Sequence, residues 1–376
     1  MKKIRVLQIG MSNNSGGVES FVMNYYRVLA KESVQFDFVC MYGEIAYKKE
    51  IIKLGGQVFE IPNIKKHYVK YCKQLRKIIR EGNYDAVHVN MLSAANIVPL
   101  KIAYSEGVPK IIAHSHNTKT IGFLRNVMDR CNRIRMKRYS NIKLACGYEA
   151  GEWLFGKRPM QCGDAIVINN AINVKKYLLN EKSRRKIRQA YGWDGKYVIG
   201  HSGRFEEQKN HKFIIKLFAR FVKVQPDAVL CLIGDGHLRS EMEELAIDLG
   251  IKDRVFFIGK VSNVPECLSA MDLFLFPSLF EGLPFTLIEA QANGLPCLCS
   301  DVITPETFVM DNVATLSLDA PTHKWVEKMQ ELLEEYVGQP GDERKKFDDE
   351  IVYSKMRNKH FDIVGEAESL KKIYEK

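Results

Sequence analysis

The chain has 376 residues, 46% of them hydrophobic and 27% charged, which is enough to bury two cores and excludes a disordered chain or a small disulfide-stapled module. Its formal charge of +11 is lopsided: residues 1–176 hold 29 Lys and Arg against 13 Asp and Glu, residues 177–376 hold 27 against 32. No uninterrupted apolar run reaches the roughly 18–20 residues that span a bilayer, and MKKIRVLQIG enters a strand-like run without the features of a secretory signal, so cytoplasmic residence is expected.

Residues 4–9, IRVLQI, read as a strand; Asn13 to Gly17 form a turn and Glu19 to Leu29 an apolar-periodic helix, the opening of a parallel α/β unit. Gly16 and Gly17 remove side chains where the backbone turns or approaches a ligand, without forming a GxGxxG fingerprint. Further strands are predicted over 36–42, 57–62, 85–90 and 110–117, separated by helical segments that include a basic amphipathic stretch at 67–81 and a compact one at 93–106. That alternation predicts a mostly parallel sheet covered on both faces.

His114 and His116 alternate at the end of the last of these strands, so they share a face, with Ser115 and Asn117 making that end polar. Either histidine can bind a hydroxyl, assist a proton transfer or serve as a structural hydrogen-bonding group. Phe123 to Tyr139 form a basic helix carrying Arg125, Arg130, Arg133, Arg135, Lys137 and Arg138 beside Leu124, Val127, Met128, Cys131, Ile134 and Met136. An anionic membrane could receive both components, or the apolar face could cover the helix's own domain. No recognition motif accompanies the charge, which disfavours nucleic acid.

The first domain ends after IKLACG at 142–147 and the segment 164–177; a charged connector, Glu181 to Arg188, then leads to a strand at 197–202. The same grammar resumes: helix 211–223, strand 228–236, helix 238–249, strand 255–259, helix 264–271, strand 273–277 and strand 295–300. Arg204 and Lys209 follow Gly203 at a strand end and form a plausible phosphate clamp, a directional fork beside a compact charge. Gly234 and Gly236 permit a bend, and Asp235 is placed to cap the next helix.

The stretch SLFEGLPFTLIEAQANGLP at 278–296 places Glu281 in a loop and Glu289 within a helix starting near Pro284 and stopped by Gly294. At 1.5 Å per residue Glu289 lies about 7–8 Å along that helix, so two carboxylates can address different parts of one elongated polar ligand, with Gly282, Leu283 and early helical amides beside its negative portion. Nine widely spaced cysteines in mainly apolar settings predict reduced thiols, and Cys297-Leu298-Cys299 lacks a second pair for zinc.

Assembled, Gly16-Gly17, His114-Ser115-His116-Asn117, Gly203-Arg204 with Lys209, Gly234-Asp235-Gly236 and the glutamate pair resemble a retaining glycosyltransferase of family 4, of the kind that serves bacterial capsule or exopolysaccharide synthesis. The resemblance covers nearly the whole chain. It implies an α/β protein of glycosyltransferase B fold, two Rossmann-like domains facing a cleft: an acceptor-side domain at 1–176, a nucleotide-sugar domain at 177–355, and a terminal helix at 356–376 returning toward the first domain.

The resemblance further implies retaining transfer of a hexosyl group from a nucleotide diphosphate sugar, with a uridine diphosphate sugar first choice, to a hydroxyl acceptor, expected to be a polyprenol-diphosphate-linked carbohydrate. Glu289 would bind the donor ribose, Glu281 would lie near the transferred sugar, Arg204 and Lys209 would bind the pyrophosphate, and Gly16 and Gly17 would flank the donor. His116 best matches the first-domain histidine associated with the sugar, with His114 and Asn117 as further sugar or acceptor contacts. No DxD motif appears, so no metal and no cofactor are expected. Arg125, Arg130, Arg133 and Lys137 are the candidate contacts to an anionic membrane, at the inner face of which the protein would sit peripherally. Alternatives are a nucleotide-sugar epimerase and a non-enzymatic membrane-associated scaffold that binds nucleotide sugars.

Overall fold

The protein is described from a computed structural model covering residues 3–14, 16–118 and 122–376; residue 15, inside the turn expected over 13–17, lies outside them. The chain divides into two compact units, Met1–Ala171 with His360–Lys376, and Ile172–Lys359. Both are Rossmann-like.

The first unit holds a sheet of seven parallel strands, β1 (Ile4–Ile9), β2 (Val34–Cys40), β3 (Val58–Glu60), β4 (Ala86–Met91), β5 (Lys110–Ser115), β6 (Ile142–Ala145) and β7 (Ile166–Val167), in the order β3-β2-β1-β4-β5-β6-β7. The second holds β8 (Tyr197–Ser202), β9 (Ala228–Ile233), β10 (Val255–Gly259), β11 (Leu273–Phe276), β12 (Cys297–Ser300) and β13 (Val313–Leu316), in the order β10-β9-β8-β11-β12-β13. β4, β8, β9, β11 and β12 are buried along their whole length, as parallel strands under helices on both faces must be. Strand order reverses between β1 and β4 and again between β8 and β11. Loops leaving the carboxyl ends of those strands are where an open α/β sheet accepts a ligand.

Several boundaries differ from the sequence reading. The charged run at 181–188 is no connector but the helix Glu181–Tyr191, capped by Asn180 and closed by Gly192 in the left-handed region. Its inward face is arginine: Arg184 and Arg188 are buried and grip the two oxygens of fully buried Asp272 at 2.6 and 3.0 Å. An apolar-periodicity search passes over such a helix. The first unit stops at Ala171, before the expected 176, because the short helix Val174–Tyr177 packs on the helices Phe285–Ala292 and Asp349–Asn358 of the second unit.

The expected terminal helix is two, Asp349–Asn358 and Ile363–Glu375, separated at His360, which has φ 63°. The second packs on the helix Gly17–Leu29, with Lys371 paired to Glu32 at 2.7 Å. Among the described residues no helix is long and apolar enough to cross a membrane, and none of the nine cysteines forms a disulfide.

Candidate functional site

In the second unit, the loop after β8 and the loop after β11 are stitched together. Gln208 donates to the Phe280 carbonyl at 2.9 Å and accepts from the Leu279 amide at 2.8 Å through its backbone carbonyl, while Asn210 donates to the Pro277 carbonyl at 3.1 Å. This seam brings Lys209 Nζ to 2.7 Å from Glu281 Oε1, with the ammonium also 4.8 Å from the Phe276 ring centroid. An ammonium has three donors, so the Glu281 bond leaves others for an anionic ligand. Arg204, on the same loop, is exposed.

Gly203 makes room for this lysine. A Cβ there would stand 3.2 Å from the Lys209 Cγ and Cδ and 2.8 Å from His201 Nε2. Gly234 and Gly236 make room for the same loop: Cβ atoms at these positions would press on the Gly203 and Phe205 backbone at 2.0 and 2.5 Å. Asp235 accepts from its neighbour Gly236, and the following helix is preceded by Leu238, so Asp235 is not its cap.

The helix Phe285–Ala292 begins one residue later than expected, with Pro284 as its flanking residue. Gly294, at φ 71°, ends it: its amide bonds to the Gln291 carbonyl and that of Leu295 to Ala290, a paired closure that satisfies the last carbonyls. Gly282 and Leu283 lie in the loop between Glu281 and this helix. Glu289 is partly buried and accepts a 2.7 Å hydrogen bond from the Tyr177 hydroxyl. Burial pushes its carboxyl up to about 6, against the opposing pull of Tyr177 and Lys176. Tyr177 thus makes with Glu289 the hydroxyl-to-carboxylate bond that a sugar hydroxyl would make.

In the first unit, the pairing of β5 continues past its end through the His116 amide, which donates to Met91 at 3.0 Å. His114 and His116 therefore share a face and stack at 4.1 Å between centroids. His116 is partly buried, bonds to Asn90 Oδ1 at 2.9 Å through Nε2, and burial lowers it to about 3. His114 has no exposed surface, so it supports His116 from behind instead of offering the sugar or acceptor contact considered for it. Asn117 is partly buried just beyond. Glu19 organises the first loop, accepting from the Ser12 amide at 2.7 Å and the Gly16 amide at 3.0 Å. A Cβ on Gly17 would meet nothing within 4 Å, so the chain's own packing does not demand glycine there.

The helix Phe123–Met136 buries only Asp129 and Met136. Phe123, Leu124 and Ile134 are 82%, 77% and 76% exposed, and Val127 and Met128 are also exposed, so the apolar face does not cover its own domain. Arg130 and Lys137 are exposed, whereas Arg133 is engaged by Asp129 at 2.6 Å and by the Trp153 ring, and Arg125 bonds to Ser93. A groove of about 660 Å³ beside β3, lined by Arg5, Phe59, Glu60, Gln74 and Ile78, contains none of the candidate residues.

The sequence reading passed over Tyr177, Gln208, Asn210, His201 and Asn90. A polar cluster at 207–210 directly after a strand and beside Lys209 is the signal that could have flagged two of them.

Comparison with known proteins gives a consistent result. Residues 15–176 match the model described as Glycosyltransferase Family 4 and residues 183–351 that described as Glycosyl transferases group 1. EpsF of Bacillus subtilis (strain 168), which bears a provisional glycosyltransferase name, is 36% identical over 86% of this chain and 86% of its own. The UDP-Gal:alpha-D-GlcNAc-diphosphoundecaprenol alpha-1,3-galactosyltransferase of Escherichia coli is 24% identical over 80% of each chain. In fold, the chain is similar to Anabaena HepE, solved with UDP and glucose, at TM-score 0.81 and 16% identity over 98% of this chain and 99% of that one.

Proposed function

The chain belongs to the glycosyltransferases of GT-B fold related to bacterial polysaccharide-biosynthesis enzymes, and from that premise we propose that it transfers a hexosyl group, with retained anomeric configuration, from a uridine diphosphate sugar to a lipid-linked carbohydrate acceptor. The observation that carries the reading is the Lys209 and Glu281 pair at the reversal between β8 and β11, with Arg204 on the loop after β8 and Glu289 on the helix that follows Glu281. Cations meet the diphosphate, Glu289 takes the ribose hydroxyls, and Glu281 lies beside the sugar.

In the proposed step the bond from the anomeric carbon to the diphosphate oxygen breaks as a bond to the acceptor oxygen forms on the same face, and the acceptor proton passes to a diphosphate oxygen. Charge grows on the leaving diphosphate, where Lys209 and Arg204 stabilise it most in the transition state. Glu281 is held by Lys209 and serves recognition, and the two glutamates are not a glycosidase acid and nucleophile. For the first unit, Gly17, His116 and Asn117 are proposed as substrate contacts. The lipid-linked acceptor is supported by the name of the Escherichia coli relative. The test is mass-resolved product analysis with a panel of nucleotide sugars and lipid-linked or soluble acceptors: a labelled lipid product from a uridine diphosphate sugar is expected, and transfer to soluble acceptors alone would overturn the acceptor assignment.

Ribose recognition by Glu289 carries its own pH dependence. A carboxyl raised to about 6 is protonated in the fold at pH values where an ordinary one is ionised. Ionising it therefore costs stability as pH rises from 4.5 to about 6. The ionised form accepts ribose hydroxyls more strongly than the protonated one, so calorimetry should show uridine diphosphate binding strengthening between pH 5 and 7, and Glu289→Gln should weaken binding and flatten that rise. A rise of equal size in Glu289→Gln would remove the ribose role.

The helix Phe123–Met136 is proposed to lie on the inner face of the cell membrane, its exposed apolar residues in the interface and Arg130, Arg135 and Lys137 on anionic headgroups. At about 1 kcal/mol per cation near the surface, Arg130→Glu, Arg135→Glu and Lys137→Glu together should weaken binding to anionic vesicles by about a hundredfold or more. Added salt should weaken the wild-type association. Equal cosedimentation of wild type and variant with neutral and anionic vesicles would reject this placement.

A further inference from the structure

Behind His116 runs a buried polar chain through β1, β4, β5 and the C-terminal helix. Asn90 Nδ2 donates to the Ile9 carbonyl at 3.3 Å and to Gln8 Oε1 at 3.0 Å; Gln8 Nε2 donates to the Tyr374 hydroxyl oxygen at 3.3 Å. The Tyr374 hydroxyl meets His88 Nδ1 at 2.7 Å, and His88 Nε2 meets His114 Nδ1 at 3.0 Å. Gln8, His88, Asn90, His114 and Tyr374 are all within 5% of complete burial, so water does not substitute for a missing partner.

The direction of the bonds around Asn90 follows from one group of fixed polarity. A backbone carbonyl only accepts, so the Ile9 carbonyl requires the Asn90 nitrogen on its side. Asn90 Oδ1 then faces His116, and His116 Nε2 must carry the proton that fills that 2.9 Å bond. On the other branch, Gln8 fills one lone pair of the Tyr374 oxygen with a donor. In one direction the phenolic hydrogen goes to His88 Nδ1, and His88 gives its Nε2 proton to His114 Nδ1. That leaves His114 protonated on Nε2, a buried atom with no partner, whereas the reverse leaves the phenolic hydrogen without one. Each direction buries one unfilled donor, at about 1–3 kcal/mol, so this branch can run either way.

We propose that Asn90 is a positioning residue, which holds His116, braced by His114, protonated on Nε2 alone and keeps the Nδ1 lone pair as an acceptor for a substrate hydroxyl. The substrate hydroxyl rests on the glycosyltransferase reading; the proton positions do not.

The experiment is nitrogen NMR of the protein labelled at its nine histidine side chains, read without substrate and assigned by single substitutions, together with steady-state transfer. In the wild type, His88, His114 and His116 are expected to be uncharged near neutral pH, with the His116 proton on Nε2. Tyr374→Phe, which removes the hydroxyl of the other branch, should leave His116 with Nε2–H. Asn90→Leu should release His116 to both tautomers and lower kcat about tenfold with donor KM changed less than twofold. A wild-type His116 protonated on Nδ1, or Asn90→Leu leaving His116 entirely on Nε2, overturns the proposal. Expected tautomers with no transfer from any donor would instead count against the enzyme reading.

Discussion

Replacing Asp272 by asparagine is expected to destabilise the second unit by about 3–5 kcal/mol, the usual cost of removing one partner from a buried ion pair. The side chain of Asp272 has no exposure and those of Arg184 and Arg188 have 3% and 5%. The same carboxylate accepts from the Val198 amide at 2.8 Å, so it ties the helix Glu181–Tyr191 to the start of β8. Asparagine keeps an oxygen for one donor but leaves two buried guanidiniums without a counter-charge. For a unit of this size the loss corresponds to about 6–20 °C in melting temperature. The comparison is the exposed pair of Lys324 and Glu327 at 2.9 Å, where Lys324→Ala should change stability by less than about 1 kcal/mol. An Asp272→Asn protein that unfolds within 2 °C of the wild type would show that the cluster contributes little.

Lys209→Ala is expected to lower kcat by about 30- to 900-fold, which is about 2–4 kcal/mol of lost transition-state stabilisation. Its side chain is 16% exposed, and its ammonium bonds to Glu281 and rests over the Phe276 ring, so it is held in place before any substrate arrives. Charge develops on the leaving diphosphate only as the glycosidic bond breaks, so donor affinity should fall much less than turnover. Chemical rescue by a small alkylamine should restore part of the rate, because the lost group is a positive charge and not a shape. Parallel thermal unfolding separates a fold defect from a chemical one. Unchanged turnover under chemistry-limited conditions would remove Lys209 from the mechanism.

The architecture was legible wherever burial on both faces leaves a continuous apolar run, as in AVLCLI of β9 and LFLF of β11. It was illegible where the inward residue is charged. The helix Glu181–Tyr191 presents arginines to the core, and only the distant Asp272 explains them. β13, VATL, is four residues long and partly exposed, which leaves no periodic signal to find.

The same contrast holds in the site. The spacing of Glu281 and Glu289 and the alternation of His114 and His116 are local, so residue order alone conveys them. The partners of those residues are not local. Lys209 and Glu281 are 72 positions apart, Tyr177 and Glu289 are 112, and Tyr374 and His88 are 286. Gln8, His88 and Asn90 read in sequence as polar interruptions of good strands, and only the register that sets Gln8 beside His88 and Asn90 beside His114 turns them into one chain.

The most direct measurement of the central claim follows a uridine diphosphate sugar labelled with carbon-13 at its anomeric carbon, incubated with the protein and a polyprenol-diphosphate-linked sugar, with the product analysed by mass spectrometry and NMR. The account predicts the label in an intact lipid-linked product with the anomeric configuration of the donor, and its loss in Lys209→Ala. A product of inverted configuration, or a donor that is epimerised or left unreacted across a broad panel of nucleotide sugars by well-folded protein, would contradict it.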